Sequence, residues 1–149
     1  MNKIVFVCNS GEEGLGHFIR CFNIASALQK LNPYVEIYFD GKYCDFALSK
    51  IKFNNFSLID FDRKEGLYKE SIVIFDSYSH NQEKINEISF KSLFSIKIDD
   101  FNLYDLSNVD CVINFRANAE NENYNSKKTL LGLNYYPAPL SLLDLRKRN

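Results

Sequence analysis

A chain of 149 residues, 46% hydrophobic and 25% charged, makes one ordinary domain with a real core and no room for a second full-sized domain. Lys and Arg number 18 against 19 Asp and Glu, a net charge of -1, which argues against a broad nucleic-acid footprint; Arg146-Lys147-Arg148 is only a short basic tail. The longest apolar run, Ile4 to Cys8, falls far short of the ~20 residues of a bilayer span or the about 7–15 of a signal-peptide core, so a cytoplasmic chain with no membrane span is expected.

Lys3–Cys8, short, apolar and rich in β-branched residues, suits a strand buried on both faces. A loop with Gly11, Gly14 and Gly16 follows. From His17 to Leu31 the spacing of Phe18, Cys21, Phe22, Ala25 and Leu28 predicts a helix, which Asn32-Pro33 ends. Tyr34–Phe39 reads as the second strand, with Asp40-Gly41 as punctuation. Tyr43–Ile51 reads as a short helix, Phe56–Ile59 as a strand, and charged Asp60–Glu70 as a loop with one helical turn. Ser71–Phe75 is a buried strand, Gln82–Phe90 a helix with Ile85 and Ile88 inward, and Leu93–Ile98 and Val109–Phe115 are two more strands. Asn118–Lys128 is a polar loop before a last strand, Thr129–Leu133.

Strands that alternate with helical segments and read as unbroken apolar runs predict an α/β, doubly wound, Rossmann-like parallel sheet of six or seven strands, residues 1–149 forming a single domain. The cysteines, Cys8, Cys21, Cys44 and Cys111, are scattered and lack any C-x-x-C pair, so buried reduced thiols are expected and zinc or redox motifs are not. No metal or cofactor is called for.

In such a sheet ligands sit beyond the carboxyl ends of the strands. Those ends carry Asn9 to His17, then Asp76-Ser77-Tyr78-Ser79-His80, then Asp99-Asp100, with Asn114 closing the next strand. Gly14 and Gly16 would permit close backbone approach to a ligand, or merely serve a strand-to-helix turn. There is no G-x-G-x-x-G and no P-loop. His17 at a helix start would be held neutral and able to accept a proton, with Arg20 on the same helix face; a surface cap and a solvated charge are the plainer alternatives. Asp76, Asp99 and Asp100 could act as paired carboxylates for acid–base work or metal binding, or as caps of the following helix or turn, and Tyr78 could present a hydroxyl or pack in the core or at the rim. His80 reads as a helix-start residue, and Ser10 and Ser77 lack a nucleophile-elbow context.

Gly14-Leu15-Gly16-His17-Phe18-Ile19-Arg20-Cys21 resembles the G-x-G-H-x-x-R-C motif of the nucleotide-sugar hydrolases of pseudaminic acid synthesis and their spore-coat polysaccharide relatives. Asp76-Ser77-Tyr78, Ile98-Asp99-Asp100, Asp110 with Asn114, and Leu130-Leu131-Gly132 with Tyr135 are similar to that family's further segments, in family order. After Tyr135 the chain departs from the family, which usually continues toward an arginine, and reads Tyr136-Pro137-Ala138-Pro139. The resemblance implies the N-terminal, sugar-side half of a two-domain GT-B architecture. The nucleotide-binding C-terminal domain would lie outside these residues, in cis or in trans. It implies cleavage of UDP from a UDP-linked 2,4-diacetamido-2,4,6-trideoxy sugar by water. The position of His17 matches the family's general base, with Gly14, Gly16, Arg20, Asp76, Tyr78, Asp99 and Asp100 on the substrate side. The alternatives are the acceptor-binding half of a glycosyltransferase, or a domain that binds a sugar or partner without turnover.

Overall fold

The computed structural model describes residues 2–146. In chain order it contains β1 (Lys3–Cys8), α1 (Gly16–Leu31), β2 (Glu36–Asp40), α2 (Asp45–Phe53), β3 (Ser57–Leu58), a 3-10 turn (Phe61–Arg63), α3 (Lys64–Lys69) and β4 (Ser71–Asp76). Then come α4 (Gln82–Lys91), β5 (Phe94–Ile98), β6 (Cys111–Asn114), a 3-10 turn (Ala119–Asn121), β7 (Lys128–Leu131), a 3-10 turn (Leu133–Tyr135) and α5 (Leu140–Arg146).

All seven strands are parallel and lie in the order β3-β2-β1-β4-β5-β6-β7. This is the doubly wound, Rossmann-like arrangement, and its strand order reverses between β1 and β4. Their register pairs Cys8 with Asp76, so the two chain segments that leave these strands start level with each other.

Strand side chains alternate between faces, and each face has its own core. Ile4, Phe6 and Cys8 of β1 join Phe18, Cys21 and Ala25 of α1 and Phe39 of β2 on one face. Val5 and Val7 join Phe75 of β4, Tyr68 of α3, and Ile85 and Ile88 of α4 on the other. Burial on both sides explains why these strands are apolar throughout and not alternating. The first core is aromatic: the rings of Phe6 and Phe39 stack at 5.2 Å, and Phe18, Phe22, Tyr43 and Phe56 close around them.

Three expectations need correction. The stretch after Asp60 holds more helix than the single turn expected, a 3-10 turn running into α3, although Gly66 disfavours a helix. Tertiary packing overrides propensity here: Tyr68 is buried in the second core and its hydroxyl donates to Asp40 Oδ2 at 2.5 Å. Cys44 is exposed, unlike Cys8, Cys21 and Cys111, because it stands at the N-terminal cap of α2 and outside both cores. Finally, a helix not foreseen, α5, follows Pro139 and lies beside α1, with the Asn23 amide donating to Pro137 O at 3.0 Å and Lys30 3.4 Å from Asp144. The basic tail reaches the last described residue, Arg146, and continues outside the described residues. The polar stretch 118–128 is organised by its own 3-10 turn and by the buried Tyr124.

Two glycines distinguish demands of the fold from those of a site. A Cβ on Gly41 would lie 1.9 Å from Cys8 O and 2.8 Å from Asn9 Oδ1, against the backbone of β1's exit. On Gly16, within α1, it would meet nothing within 4 Å. Gly41→Ala is therefore expected to cost about 1–3 kcal/mol, and Gly16→Ala to leave thermal stability unchanged or slightly raised. Thermal denaturation of the two variants checks both.

Candidate functional site

β1 delivers the chain into Asn9–Leu15, a loop pinched by a bridge between Gly11 and Gly14, with Gly14 N–H donating to Gly11 O at 2.8 Å. Gly14 sits at φ 78°, a conformation that side-chain-bearing residues rarely adopt. The loop is tied to its neighbour by Glu13, a residue the sequence did not single out: its carboxylate accepts from Ser77 Oγ at 2.7 Å and from Ser79 N–H at 2.7 Å. α1 then starts at the switch point, with His17 and Arg20 one turn apart on the side facing β4.

Asp76, the last residue of β4, is 1% exposed. Its Oδ1 lies 2.7 Å from His17 Nδ1 and 2.6 Å from Arg20 Nη2, and its Oδ2 accepts from Arg20 Nε. The carboxylate can only accept, so at 2.7 Å it sets the proton on Nδ1, and the guanidinium nitrogen 3.2 Å from that atom is a contact. The ring is 4% exposed. No described residue hydrogen-bonds its Nε2. That atom is not enclosed either: among the described residues, the fully buried side-chain nitrogen or oxygen without a partner is Nδ1 of His80. His17 therefore presents an Nε2 that no described residue engages.

Arg20 also reaches Asp100, with Nη2 3.0 Å from Oδ2, and its guanidinium lies 5.3 Å from the centre of the Phe115 ring. Burial disfavours its charge, but Asp76 and Asp100 outweigh burial and hold the guanidinium above its ordinary pKa. Burial likewise opposes ionisation of Asp100, yet hydrogen bonds from Arg20 and Tyr78 bring its pKa below the usual value. The Tyr78 hydroxyl donates to Asp100 Oδ2 at 2.7 Å, and its ring meets the His17 ring edge-on at 4.4 Å. His17, Arg20, Asp76, Tyr78 and Asp100 thus form one connected cluster across the ends of α1, β4 and β5.

Asp99 does not join it. Its Oδ1 accepts from Lys97 Nζ at 2.6 Å, and its Oδ2 from Tyr124 Oη at 2.8 Å and Asn102 N–H at 2.7 Å. These partners belong to the opposite face of the sheet, where Asp99 closes the turn after β5. Desolvation is outweighed by Lys97 and these donors, and the Asp99 pKa falls. Lys97 itself was missed, although a lysine inside the apolar run Phe94–Ile98 was the signal for it. His80 stands at a helix start, as expected, but buried: it is 7% exposed and immediately precedes Asn81, which caps α4 by accepting from Lys84 N–H at 2.9 Å.

Of two recesses, the first borders the cluster through Tyr78 and Asp100 and the second shares no residue with it. The first, of about 310 Å³, is lined by Tyr78, Lys97, Asp99, Asp100 and the loop Phe101–Tyr104. The second, of about 630 Å³, lies across the 9–13 loop and includes Lys42, Lys64, His80 and Lys84. Among the described residues no group of three or more His, Cys, Asp or Glu side chains is placed to hold a metal ion, and no helix is long and apolar enough to cross a membrane. No protein-family model, curated protein or solved structure matches the chain.

Two outcomes follow from these buried charges. Arg20→Met leaves the Asp76 carboxylate enclosed without its cation and is expected to cost about 3–5 kcal/mol in urea denaturation. Burial, with Lys97 and Lys84 nearby, pushes His80 down to about 4 from 6.5. Because the folded pKa lies below the unfolded one, the stability contributed by neutral His80 is complete above pH 6.5 and is lost as pH falls toward 4. The loss is expected to reach roughly 3 kcal/mol, at ~1.4 kcal/mol per pKa unit. His80→Phe should remove this arm of the stability–pH profile while leaving the profile above pH 7 parallel to the parent's.

Proposed function

We propose that the chain is the sugar-side half of a UDP-sugar hydrolase of nonulosonic acid or surface-polysaccharide synthesis, with His17 activating the attacking water. The observation that carries this reading is the His17–Asp76 pair at the reversal of strand order: a proton-bearing Nδ1 held by a buried carboxylate, and Nε2 bonded to no described residue. The motif resemblance supports it from the sequence side.

In this reading Nε2 takes a proton from water as the water oxygen bonds to the anomeric carbon. The bond from that carbon to the UDP oxygen breaks, and UDP leaves with the electron pair. Asp76 fixes the tautomer and stabilises the imidazolium that forms, as carboxylates paired with catalytic histidines do. Arg20 holds Asp76 and Asp100 in place, and Asp100 with Tyr78 faces the sugar hydroxyls. Gly14 and Gly16 leave room for the sugar against the backbone. Uridine and most of the diphosphate belong to a nucleotide-binding domain supplied in cis or in trans, so that binding energy away from the reacting bond comes from the partner domain.

Two measurements test the reading. With the partner domain supplied, His17→Ala is expected to slow UDP release about 10²–10⁴-fold, measured at a temperature where the variant is still folded because loss of the buried ring also costs stability; unchanged turnover removes His17 from the mechanism. The 149-residue chain alone is expected to release UDP from the UDP-sugar far more slowly than the ~1 per second of ordinary enzymes. Release at that rate overturns the half-enzyme reading.

A further inference from the structure

All seven strands start at one edge of the sheet, and α1 to α4 run back to end there, at the opposite edge from His17. This strand-start edge carries Leu31, the last residue of α1, Tyr34 before β2, Phe53, the last residue of α2, Phe90 in the last turn of α4, and Leu93 before β5. All are between 67% and 88% exposed, and among the described residues Leu103, at the other edge, is the one further large apolar side chain as exposed as these. Single apolar residues are ordinary on a surface. Their concentration at one edge is not. None of them belongs to either core, and none lines a described recess.

Lysines stand among them. The last turns of α1 to α4 hold Lys30, Lys52, Lys69 and Lys91, and Lys3 and Lys128 begin β1 and β7. A cation there offsets the negative end of a helix dipole, which explains the lysines but not the apolar side chains beside them. The carboxylates at this edge are engaged: Glu70 by Lys3 at 2.5 Å, Asp110 by Lys127 at 2.6 Å, Glu65 and Glu87 by Lys91 at 3.0 Å, and Asp144 by Lys30 at 3.4 Å. Glu36 accepts from the Tyr38 hydroxyl at 2.6 Å. Lys52, Lys69 and Lys128 are exposed and have no ion-pair partner among the described residues. α5 adds to the same edge. With Pro137 beside Asn23 and Asp144 beside Lys30, it runs the same way as α1 and ends here at Arg146, from which the sequence continues as Lys147-Arg148.

We infer that the strand-start edge docks the chain on an anionic lipid surface, with Leu31, Tyr34, Phe53, Phe90 and Leu93 dipping below the head groups and the lysines lying among the phosphates. Two observations favour a bilayer over a protein partner. The apolar side chains project singly from separate elements, which suits a soft planar medium that each can enter alone. Unpaired lysines stand between them, whereas the core of a protein interface is depleted in lysine; apolar groups flanked by lysine stems are the composition of a bilayer interface. The inference is independent of the hydrolase reading, and docking this way leaves the His17 edge facing water.

The test is cosedimentation of the 149-residue chain with vesicles of phosphatidylcholine alone and of phosphatidylcholine mixed with phosphatidylglycerol. Binding is expected to the mixed vesicles, about tenfold or more tighter than to the neutral ones, and weaker in ~1 M salt, where screening shortens to about 3 Å. Lys52→Glu with Lys69→Glu is expected to weaken it about tenfold or more, since each lysine near such a surface is worth about fivefold. Phe53→Ser with Phe90→Ser is expected to weaken it by a similar factor. All four side chains are exposed, so thermal denaturation is expected to stay as in the parent. Leu103→Ser, at the other edge, is expected to bind as the parent does. No binding to mixed vesicles, equal binding to both kinds, binding that survives either pair of changes and so belongs to the basic tail alone, or an equal loss in Leu103→Ser overturns the proposal. So does a dimer in sedimentation velocity that Phe53→Ser dissociates, because the edge then serves a second copy of the chain.

Discussion

A carboxylate that is 1% exposed cannot stand alone in a protein interior. Asp76 is such a group, and much of the sheet's upper edge is arranged to neutralise it. Arg20 supplies the opposite charge and His17 a hydrogen bond, both from the first turns of α1, so the start of that helix is fixed over the β1–β4 boundary by polar contacts as well as by packing. Since Arg20 has a second carboxylate partner in Asp100, the same contact ties in the end of β5. The Asn9–Leu15 loop has both ends set by these constraints, with Glu13 clamping its middle to Ser77 and Ser79.

The alternation of an extended chain explains why two adjacent aspartates have different surroundings. Ile98 lies in the aromatic core with Phe6 and Phe39, and Lys97 points the other way. Asp99 follows Lys97 by two residues and so shares its side of the sheet, where it forms an ion pair and a turn cap. Asp100 falls on the other side, within reach of Arg20 and Tyr78. One carboxylate serves the fold and the other joins the cluster around His17, and the recess between them borrows a wall from each.

The main elements were legible because each was driven by local pattern: unbroken apolar strands, the 3.6-residue spacing of Phe18, Cys21, Phe22 and Ala25, and Pro33 as a stop. The strand ends and the side chains they carry were readable for the same reason. What escaped depended on contacts distant in sequence. α3 exists because Tyr68 is buried against β4 and bonded to Asp40, and α5 because it has α1 to lie on. Nothing local pairs His17 with Asp76, 59 residues away. Nor does any spacing announce that Lys97 is neutralised by Asp99, or that Glu13 reaches Ser77. The expectation of four buried thiols failed at Cys44, where a residue type usually buried was given a capping position at the surface.

The place of β1 in the sheet bears on how the chain is made. Of the seven described strands, β1 is synthesised before the others and yet is a central one, flanked by β2 and β4. β2 is complete at Asp40 but β4 only at Asp76. At ribosomal speeds of about 5–20 residues per second, β1 stands for a few seconds as a bare edge, its Val5 and Val7 face uncovered. During that interval the nascent half-sheet offers an open template to any extended segment nearby. Arg20 and His17 are made long before their carboxylate, so the arrival of Asp76 closes the edge and settles the helix start in one step. Elongation rate between residues 40 and 76, and whatever shields nascent β1 meanwhile, are therefore as much a part of producing this protein as its final contacts.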